Sequence, residues 1–97
     1  MEQSTIMKRL GAFKSVTNFT SSNGNDVPNQ FEIRFEKGTV FQSYTSIIAV
    51  TTNSGNIFLG GDWDYSTTTG RYRNQFLGES KKETEQKIKL GTYKMLK

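Results

Sequence analysis

The sequence predicts an α+β fold, in which an antiparallel β-meander of four to five strands is followed by two short C-terminal helices. Three observations support this prediction. Apolar and polar residues alternate through residues 31–36, which is typical of a strand with one buried face. Clusters of turn-forming residues separate several such segments. Ser80 and Glu83 have the spacing of a capping box, and Gly91 follows, which predicts a helix near the C-terminus.

The N-terminal third contains one predicted strand and one predicted loop. We predict a short strand over residues 13–20, where Val16 and Phe19 lie among Ser and Thr. Residues 21–30 include the only Pro and an Asn-Gly pair, so they are predicted to form a loop. Residues 1–12 are an undecided segment, because their apolar residues also follow a helical spacing.

The middle of the chain is predicted to form the meander. Strands are predicted over residues 31–36, 39–44, 47–52 and 57–59. Residues 47–52 are apolar in both alternating positions, which is typical of a central strand that needs cover on both faces. Residues 62–65 continue the alternation, with both aromatic side chains on one face, so the sheet is assigned to residues 13–65.

Two helices are predicted within residues 66–91. The first spans residues 67–77, buries a stripe formed by Thr69, Tyr72 and Phe76, and ends at Gly78. The second follows Ser80 and carries two Glu-before-Lys pairs with a spacing of four, Glu83 with Lys87 and Glu85 with Lys89. Residues 92–97 are predicted to be an extended tail that packs on the sheet. Residues 1–97 therefore form a single domain.

The composition excludes several kinds of chemistry. The chain has no His and no Cys, so it cannot form a His-based triad, a Cys nucleophile, a zinc-finger site or a disulfide. Asp62 and Asp64, with Glu32 or Glu36 on a neighbouring strand, could hold Mg²⁺ or act as an acid–base pair, but an Asp-x-Asp pattern alone is a weak signal. We therefore predict a non-enzymatic protein without a metal or a cofactor.

Basic residues are concentrated at the C-terminal end. Residues 1–70 carry five basic and six acidic side chains, whereas residues 71–97 carry eight and three. A basic pole is typical of proteins that bind a polyanion, a membrane surface or an acidic protein face. We predict a nucleic-acid-binding surface on the two helices, formed by Arg71, Arg73, Asn74, Gln75, Lys81, Lys82 and Lys89.

Two further features could take part in such binding. The amides of residues 67–69 begin a helix and can hydrogen-bond a phosphate. Phe41, Tyr44 or Tyr93 could stack on unpaired bases if the sheet has an open face, whereas Trp63 and Tyr65 are assigned to the core or to helix packing. The competing interpretation of the basic residues is a solvated helical surface that keeps the chain soluble.

The second functional hypothesis is a protein-binding module. Such a module could inhibit or modulate a host or defence factor, and it could itself be a homodimer. Seven Phe, four Tyr and one Trp are a large aromatic supply for a short chain, and aromatic residues are common anchors of interfaces. The sequence favours nucleic acid only slightly over a protein partner.

Three parts of the sequence resemble a known family. Residues 41–50, residues 63–77 and the segment from Glu83 to Tyr93 resemble small proteins of unknown function encoded in tailed-phage and prophage genomes. The similarity spans about residues 13–95. It implies a phage accessory protein inside a bacterial cell, and it implies no particular activity.

Apolar runs are short throughout the sequence. None approaches the roughly 20 residues that a membrane-spanning helix requires. Residues 1–10 also lack the apolar core of a secretory signal. We therefore expect the protein to act in the cytoplasm of a bacterial host without a membrane partner.

Overall fold

The computed structural model describes residues 2–97, which form three helices and six strands. In chain order these are α1 (Gln3–Arg9), β1 (Phe13–Thr20), β2 (Asp26–Phe35), β3 (Gly38–Ser43), β4 (Ser46–Thr52), β5 (Ile57–Leu59), α2 (Thr67–Leu77), α3 (Lys81–Lys89) and β6 (Lys94–Met95). The strands form one sheet in the order β1-β2-β3-β4-β5-β6. All neighbours are antiparallel except β5 and β6, which are parallel. The predicted α+β class is confirmed.

Helices cover both faces of β4. On one face, α1 places Ile6 and Leu10 against Val50. On the other face, Ile48 packs with Tyr72 of α2. All five side chains are buried, because the apolar residues of β4 lie between two layers of helix. This arrangement confirms that residues 47–52 form a central strand.

A β-bulge in β4 is important for the position of α2. Phe41 pairs with Ala49, whereas its neighbour Gln42 pairs with Ile47, so Ile48 is an extra residue in β4. A bulge bends its strand and re-aims the side chain that it carries. Ile48 consequently packs on the α2 side of the sheet, beside Phe41.

The N-terminal segment and the C-terminal tail are more ordered than the sequence indicates. Most of the undecided residues 1–12 form α1, and Met1 lies outside the described residues. The predicted tail contributes β6 and therefore a sixth strand, and Leu96 is buried next to it. Leu96 packs with Ile6 and Leu10 in one cluster, so the two ends of the chain stabilise each other.

Two predicted boundaries are wrong. The loop is shorter than residues 21–30 because β2 begins at Asp26. Pro28 is tolerated in this strand because β1 pairs with Asp26 and Phe31 but not with the residues between them, so its missing N–H breaks no ladder bond between β1 and β2. The run of consecutive strands β1–β5 also ends at Leu59 rather than at residue 65.

The segment from residue 60 to residue 65 turns instead of continuing the sheet. The amide of Trp63 donates to the carbonyl of Gly60, and the amide of Tyr65 donates to the carbonyl of Asp62, at 3.1 Å each. Gly60 is required where this segment leaves the sheet, since a Cβ there would collide with the carbonyl oxygen of Ile47. The backbone at residue 60 therefore approaches the backbone of residue 47 closely.

Both predicted C-terminal helices are confirmed. α2 begins after Ser66 and ends at Gly78, whose φ of 69° is the left-handed conformation that favours glycine. Ser80 and Glu83 form the predicted capping box at the start of α3. Among residues 2–97, none of the helices has the length and apolar character needed to cross a bilayer.

The part of the edge strand β1 that carries Phe13 and Val16 is largely exposed, whereas Phe19 of the same strand packs against α2. Among the described strands, β1 pairs only with β2, and Phe13 and Val16 remain 57% and 52% exposed. They stand opposite Phe35 and Ile33 of β2, which are half-buried. We call these four residues the open edge. The apolar surface there contrasts with strands β3–β5, in which Val40, Ile48 and Leu59 are fully buried.

Candidate nucleic-acid interface

Ser66 and Thr69 fix the start of α2 on the sheet. Ser66 has an extended backbone and its Oγ accepts a hydrogen bond from the amide of Thr69 at 3.1 Å. The hydroxyl of Thr69 is buried, lies 3.0 Å from the hydroxyl of Ser43 on β3 and accepts from Ser66. These bonds satisfy one of the first amides of the helix and tie its first turn to the end of β3.

A groove of about 580 Å³ lies along the start of α2 and reaches the start of α3. We call it the α2 groove. On the side of the helix start it is lined by Ser66, Thr67 and Gly70. Four of the seven residues in the predicted nucleic-acid-binding set also line it, namely Arg71, Arg73, Asn74 and Lys81. The structure thus brings more than half of the predicted residues to one site.

Arg73, a member of the predicted nucleic-acid-binding set, is buried where it lines the α2 groove. Its side chain is 1% exposed, and the guanidinium donates to the carbonyl of Trp63 at 2.8 Å and to Asn74 Oδ1 at 3.0 Å. The guanidinium carbon also lies 5.1 Å from the centre of the Trp63 ring. Arg73 is an internal cation that joins α2 to the turn before it, although its Nε has no hydrogen-bond acceptor among residues 2–97.

Asp64 neutralises part of the positive charge in the α2 groove. Its carboxylate lies 2.8 Å from Lys81 Nζ and 3.3 Å from Arg73 Nη1. The hydrogen bond from Lys81 lowers the pKa of Asp64 below its usual value, with burial opposing this effect and Arg73 adding to it. Asp64 in turn raises the pKa of Lys81. Asp64 therefore stays ionised at neutral pH, and the groove holds three cations, Arg71 included, against this one carboxylate.

Arg71 is the cation of the groove that has no internal partner. It is exposed, and none of the salt bridges between described residues involves it. It also lines a second depression of about 420 Å³, together with Ser21, Ser22 and Gln75. The exposed side chain of Gln75 thus lies next to Arg71 but outside the α2 groove.

The remaining predicted residues are on α3. Lys82 and Lys89 are exposed and seven positions apart, so they lie on one side of the helix, two turns from each other. Neither lines the α2 groove. Both remain available to an external anion, but they contribute to the field around the groove rather than to its wall.

The Glu-before-Lys pairs predicted along α3 are absent from the salt bridges of residues 2–97. Glu83 instead accepts from the amide and the hydroxyl of Ser80 in the capping box. Lys87 pairs with Glu79, which precedes α3, at 2.6 Å. Side chains near a helix end thus use partners outside the helix.

Glu79 is the centre of a network that the sequence did not indicate. Its side chain is 3% exposed and accepts from Lys87, Thr84 and Tyr93 at 2.6 Å each. Burial alone would raise the pKa of Glu79, but these hydrogen bonds hold it below its usual value of 4.5. Burial and the bond to Glu79 raise the pKa of Tyr93. The Glu79 network fastens α3 to the segment that leads into β6.

Two of the three aromatic residues proposed for stacking are inaccessible to a nucleic-acid base. Phe41 is fully buried and Tyr93 is 5% exposed, so the prediction is wrong for both. Tyr44 is 59% exposed, and Tyr65, predicted from the sequence to lie in the core or to pack on a helix, is 71% exposed. Both tyrosines line a depression of about 520 Å³ that we call the tyrosine pocket. No sequence signal identified Tyr65, because the expected alternation of residues 62–65 is replaced by turns.

The carboxylates considered for catalysis are held separately. Asp62 accepts from the hydroxyl of Ser46 at 2.8 Å, and Asp64 binds Lys81 and Arg73. Glu36 accepts from the amide of Ala12, and Glu32 lies 3.8 Å from Arg34. Within residues 2–97, no three acidic side chains lie close enough together to hold a metal ion.

Comparison with known proteins identifies the family. A family model described as a family of unknown function, DUF8033, matches residues 8–92. The chain belongs to the DUF8033 family. The α2 groove and the tyrosine pocket both lie within the part that matches this DUF8033 model. No curated protein and no solved structure matches the chain.

Proposed function

We propose that this DUF8033 protein is a non-enzymatic nucleic-acid-binding protein whose α2 groove receives a backbone phosphate. The observation that carries the proposal is the concentration of Arg71, Arg73 and Lys81 around one groove that contains a single carboxylate. A surplus of cations in a concave site focuses the electrostatic potential and attracts anions. Phosphate contacts supply most of the sequence-independent affinity for nucleic acids.

The start of α2 supports the same assignment. Thr67 and Thr68 occupy the first two positions of the helix, where amides have no partner within the helix. No hydrogen bond between described residues uses these two amides. Helix N-termini bind phosphates through such amides and through the helix dipole. Arg73 supplies an independent observation, since it lines the groove and has a buried Nε donor without an acceptor.

Arg71 is the residue that we expect to make the strongest phosphate contact. Its guanidinium is free, and the planar fork of an arginine can donate two parallel hydrogen bonds to phosphate oxygens. Lys82 and Lys89 extend the positive surface along α3 and would steer a polyanion toward the groove. Their effect should be weaker and should disappear at lower salt concentrations than the effect of Arg71.

Charge reversal tests the proposal. Fluorescence anisotropy of a labelled oligonucleotide should show binding that weakens steeply as salt increases. Arg71→Glu should reduce the affinity by about tenfold or more and should lower the salt slope by about 1. Lys14→Glu is the matched control, because it makes the same change in net charge at an exposed position on β1. An absence of binding at low salt to both single- and double-stranded DNA would overturn the proposal.

The source and compartment of the protein belong to the same proposal. We infer a phage or prophage accessory protein that acts in the cytoplasm of a bacterial host, on the strength of the resemblance carried by residues 41–50 and 63–77. Sequencing the genomic neighbourhood of the gene tests the source, and fractionation of the producing cells tests the compartment. Neighbouring genes without phage character would contradict the first statement.

The open edge favours a second candidate function, in which the protein binds another protein. Phe13 and Val16 expose apolar surface on a strand whose outer backbone groups have no partner strand within residues 2–97. The simplest occupant is a second copy of the chain that pairs β1 with β1, and a host or defence factor would use the same edge. Light scattering should then detect a dimer that Val16→Asp dissociates. A monomer at high concentration would contradict the dimer.

A further inference from the structure

The tyrosine pocket presents two exposed aromatic rings beside polar side chains. Tyr44 follows β3 and Tyr65 precedes α2, so the pocket forms where the end of the sheet meets the start of the helix. Ile48, the bulged residue of β4, is among its lining residues and is itself fully buried. Exposed tyrosines over an apolar base form a surface on which a flat ring can stack.

Tyr44 is held in a conformation that is unusual for an aromatic residue. Its φ is 54°, in the left-handed region that favours glycine. Its amide donates to the carbonyl of Asn29 at 2.7 Å, and its carbonyl accepts from Gln42 Nε2 at 2.7 Å. Strain of this kind persists where neighbours fix the backbone, and it is concentrated at functional sites. The ring is directed to solvent and makes no contribution to the three core clusters.

Hydrogen-bonding groups line the pocket between the two rings. Ser46 donates to Asp62 Oδ2 at 2.8 Å, and no hydrogen bond between described residues uses Asp62 Oδ1. Thr45 and Thr68 also line the pocket. A base offers donors and acceptors on its edge, and hydroxyl and carboxylate groups can pair with them.

The pocket adjoins the proposed phosphate site. Ser66 lines both the tyrosine pocket and the α2 groove, so the two depressions meet at the first residue of the helix cap. An aromatic platform next to a positively charged groove is the arrangement with which proteins bind single-stranded nucleic acid. In a duplex, bases are paired and stacked, and their faces cannot reach such a platform.

We propose that the tyrosine pocket receives an unpaired base of a nucleic-acid strand, which Tyr44 and Tyr65 stack against while the neighbouring phosphate lies in the α2 groove. This inference rests on the proposed function and adds to it a preference for single strands. Sequence preference should be slight, because every base has a face that can stack.

Two substitutions separate binding from folding. Tyr44→Gly removes the ring and also relieves the positive φ, so the folded protein should be at least as stable as the parent. Tyr65→Ala removes a ring that is mostly solvated, so it should leave stability nearly unchanged. Tyr44→Phe and Tyr65→Phe are the matched controls, since they retain the rings and lose only the hydroxyls.

Affinity for a labelled oligo-dT and for a duplex of the same length should be compared at one salt concentration. Each ring deletion should weaken oligo-dT binding about 5-fold or more and leave duplex binding unchanged, while the Phe variants bind as the parent does. If the ring deletions do not change oligo-dT binding and Arg71→Glu abolishes it, the base-stacking inference is overturned and the phosphate site remains. If neither probe binds the parent at low salt, both proposals fail.

Discussion

Two groups of charged side chains in residues 71–97 differ in what surrounds them. Arg73, Lys81 and Lys87 are paired with Asp64 or Glu79, and the Arg73 side chain is buried. The other five basic residues of this segment form no salt bridge among the described residues. They are Arg71, Lys82, Lys89, Lys94 and Lys97. One group stabilises the junctions of the fold, and the other is free to attract a partner.

The difference shows that the net charge of a sequence segment overstates the charge that is available to a binding partner. A cation can be buried only if a carboxylate and several acceptors compensate for the water that it loses. Arg73 meets this condition through Asp64, Asn74 and the carbonyl of Trp63. Two residues earlier on the same helix, Arg71 has none of these partners and remains exposed. Both residues are arginines, and their different positions on the helix determine their different roles.

The largest expected effect is the loss of stability when the side chain of the buried arginine, Arg73, is removed. Arg73→Ala should lower the free energy of unfolding by about 3 kcal/mol, since it empties a packed site and leaves the carbonyl of Trp63 without its donor. Arg71→Ala should change it by no more than about 0.5 kcal/mol. Urea unfolding followed by the fluorescence of Trp63 measures both.

Arg73→Lys separates the contribution of the positive charge from that of the guanidinium geometry. A lysine retains the charge but cannot donate in the forked geometry that the guanidinium uses, so it should recover only part of the lost stability. Equal stability of the Arg71→Ala and Arg73→Ala proteins would contradict the distinction between a structural and a free arginine.

A smaller effect is expected from the Glu79 network, and it should depend on pH. Glu79→Gln should cost about 2 kcal/mol at neutral pH, because the acceptor of three hydrogen bonds loses its charge. The pKa of Glu79 is lower in the folded protein than its usual value of 4.5. Its contribution to stability is therefore complete above that value and is lost as the pH falls through the folded pKa.

Unfolding midpoints of the parent and the Glu79→Gln protein should consequently converge in acid. The lowered pKa of Asp64 also makes the parent less stable in acid, but Asp64 is present in both proteins, so the difference between them reports Glu79. A constant difference across the acid range would contradict a role for the ionised Glu79 carboxylate.

Local signals in the sequence were sufficient to predict the C-terminal helices, but they did not predict how the side chains of the candidate site are placed. Ser80 with Glu83 defines the start of α3, and Gly78 defines the end of α2, because capping depends on residues within one turn of the helix end. The positions of Arg73 and Tyr65 depend on the turns of residues 60–65. No short-range pattern distinguishes those turns from a strand.

Packing between segments that are distant along the chain could not be predicted from the sequence either. α1 is held by Val40 and Val50, and β6 pairs in parallel with β5, so each depends on residues that are far away along the chain. A spacing of apolar residues can indicate a helix, but it does not identify the face that the helix will cover. For the same reason the open edge at β1 could be recognised only once the extent of α1 was known.

The smallest expected effect concerns Gly70, which directly precedes Arg71 and lines the α2 groove. A Cβ at this position would meet Arg73 Nη2 at 3.5 Å and Nη1 at 3.6 Å, which is ordinary van der Waals contact. Gly70→Ala should therefore raise stability by up to about 1 kcal/mol through helix propensity. The added methyl group should also narrow the groove beside Arg71 and weaken oligonucleotide binding slightly. Higher stability with weaker binding would connect the groove to nucleic acid, because a variant that only strengthened the helix would bind at least as well as the parent. Unchanged or tighter binding would instead place the bound phosphate outside the groove, on the exposed lysines of α3.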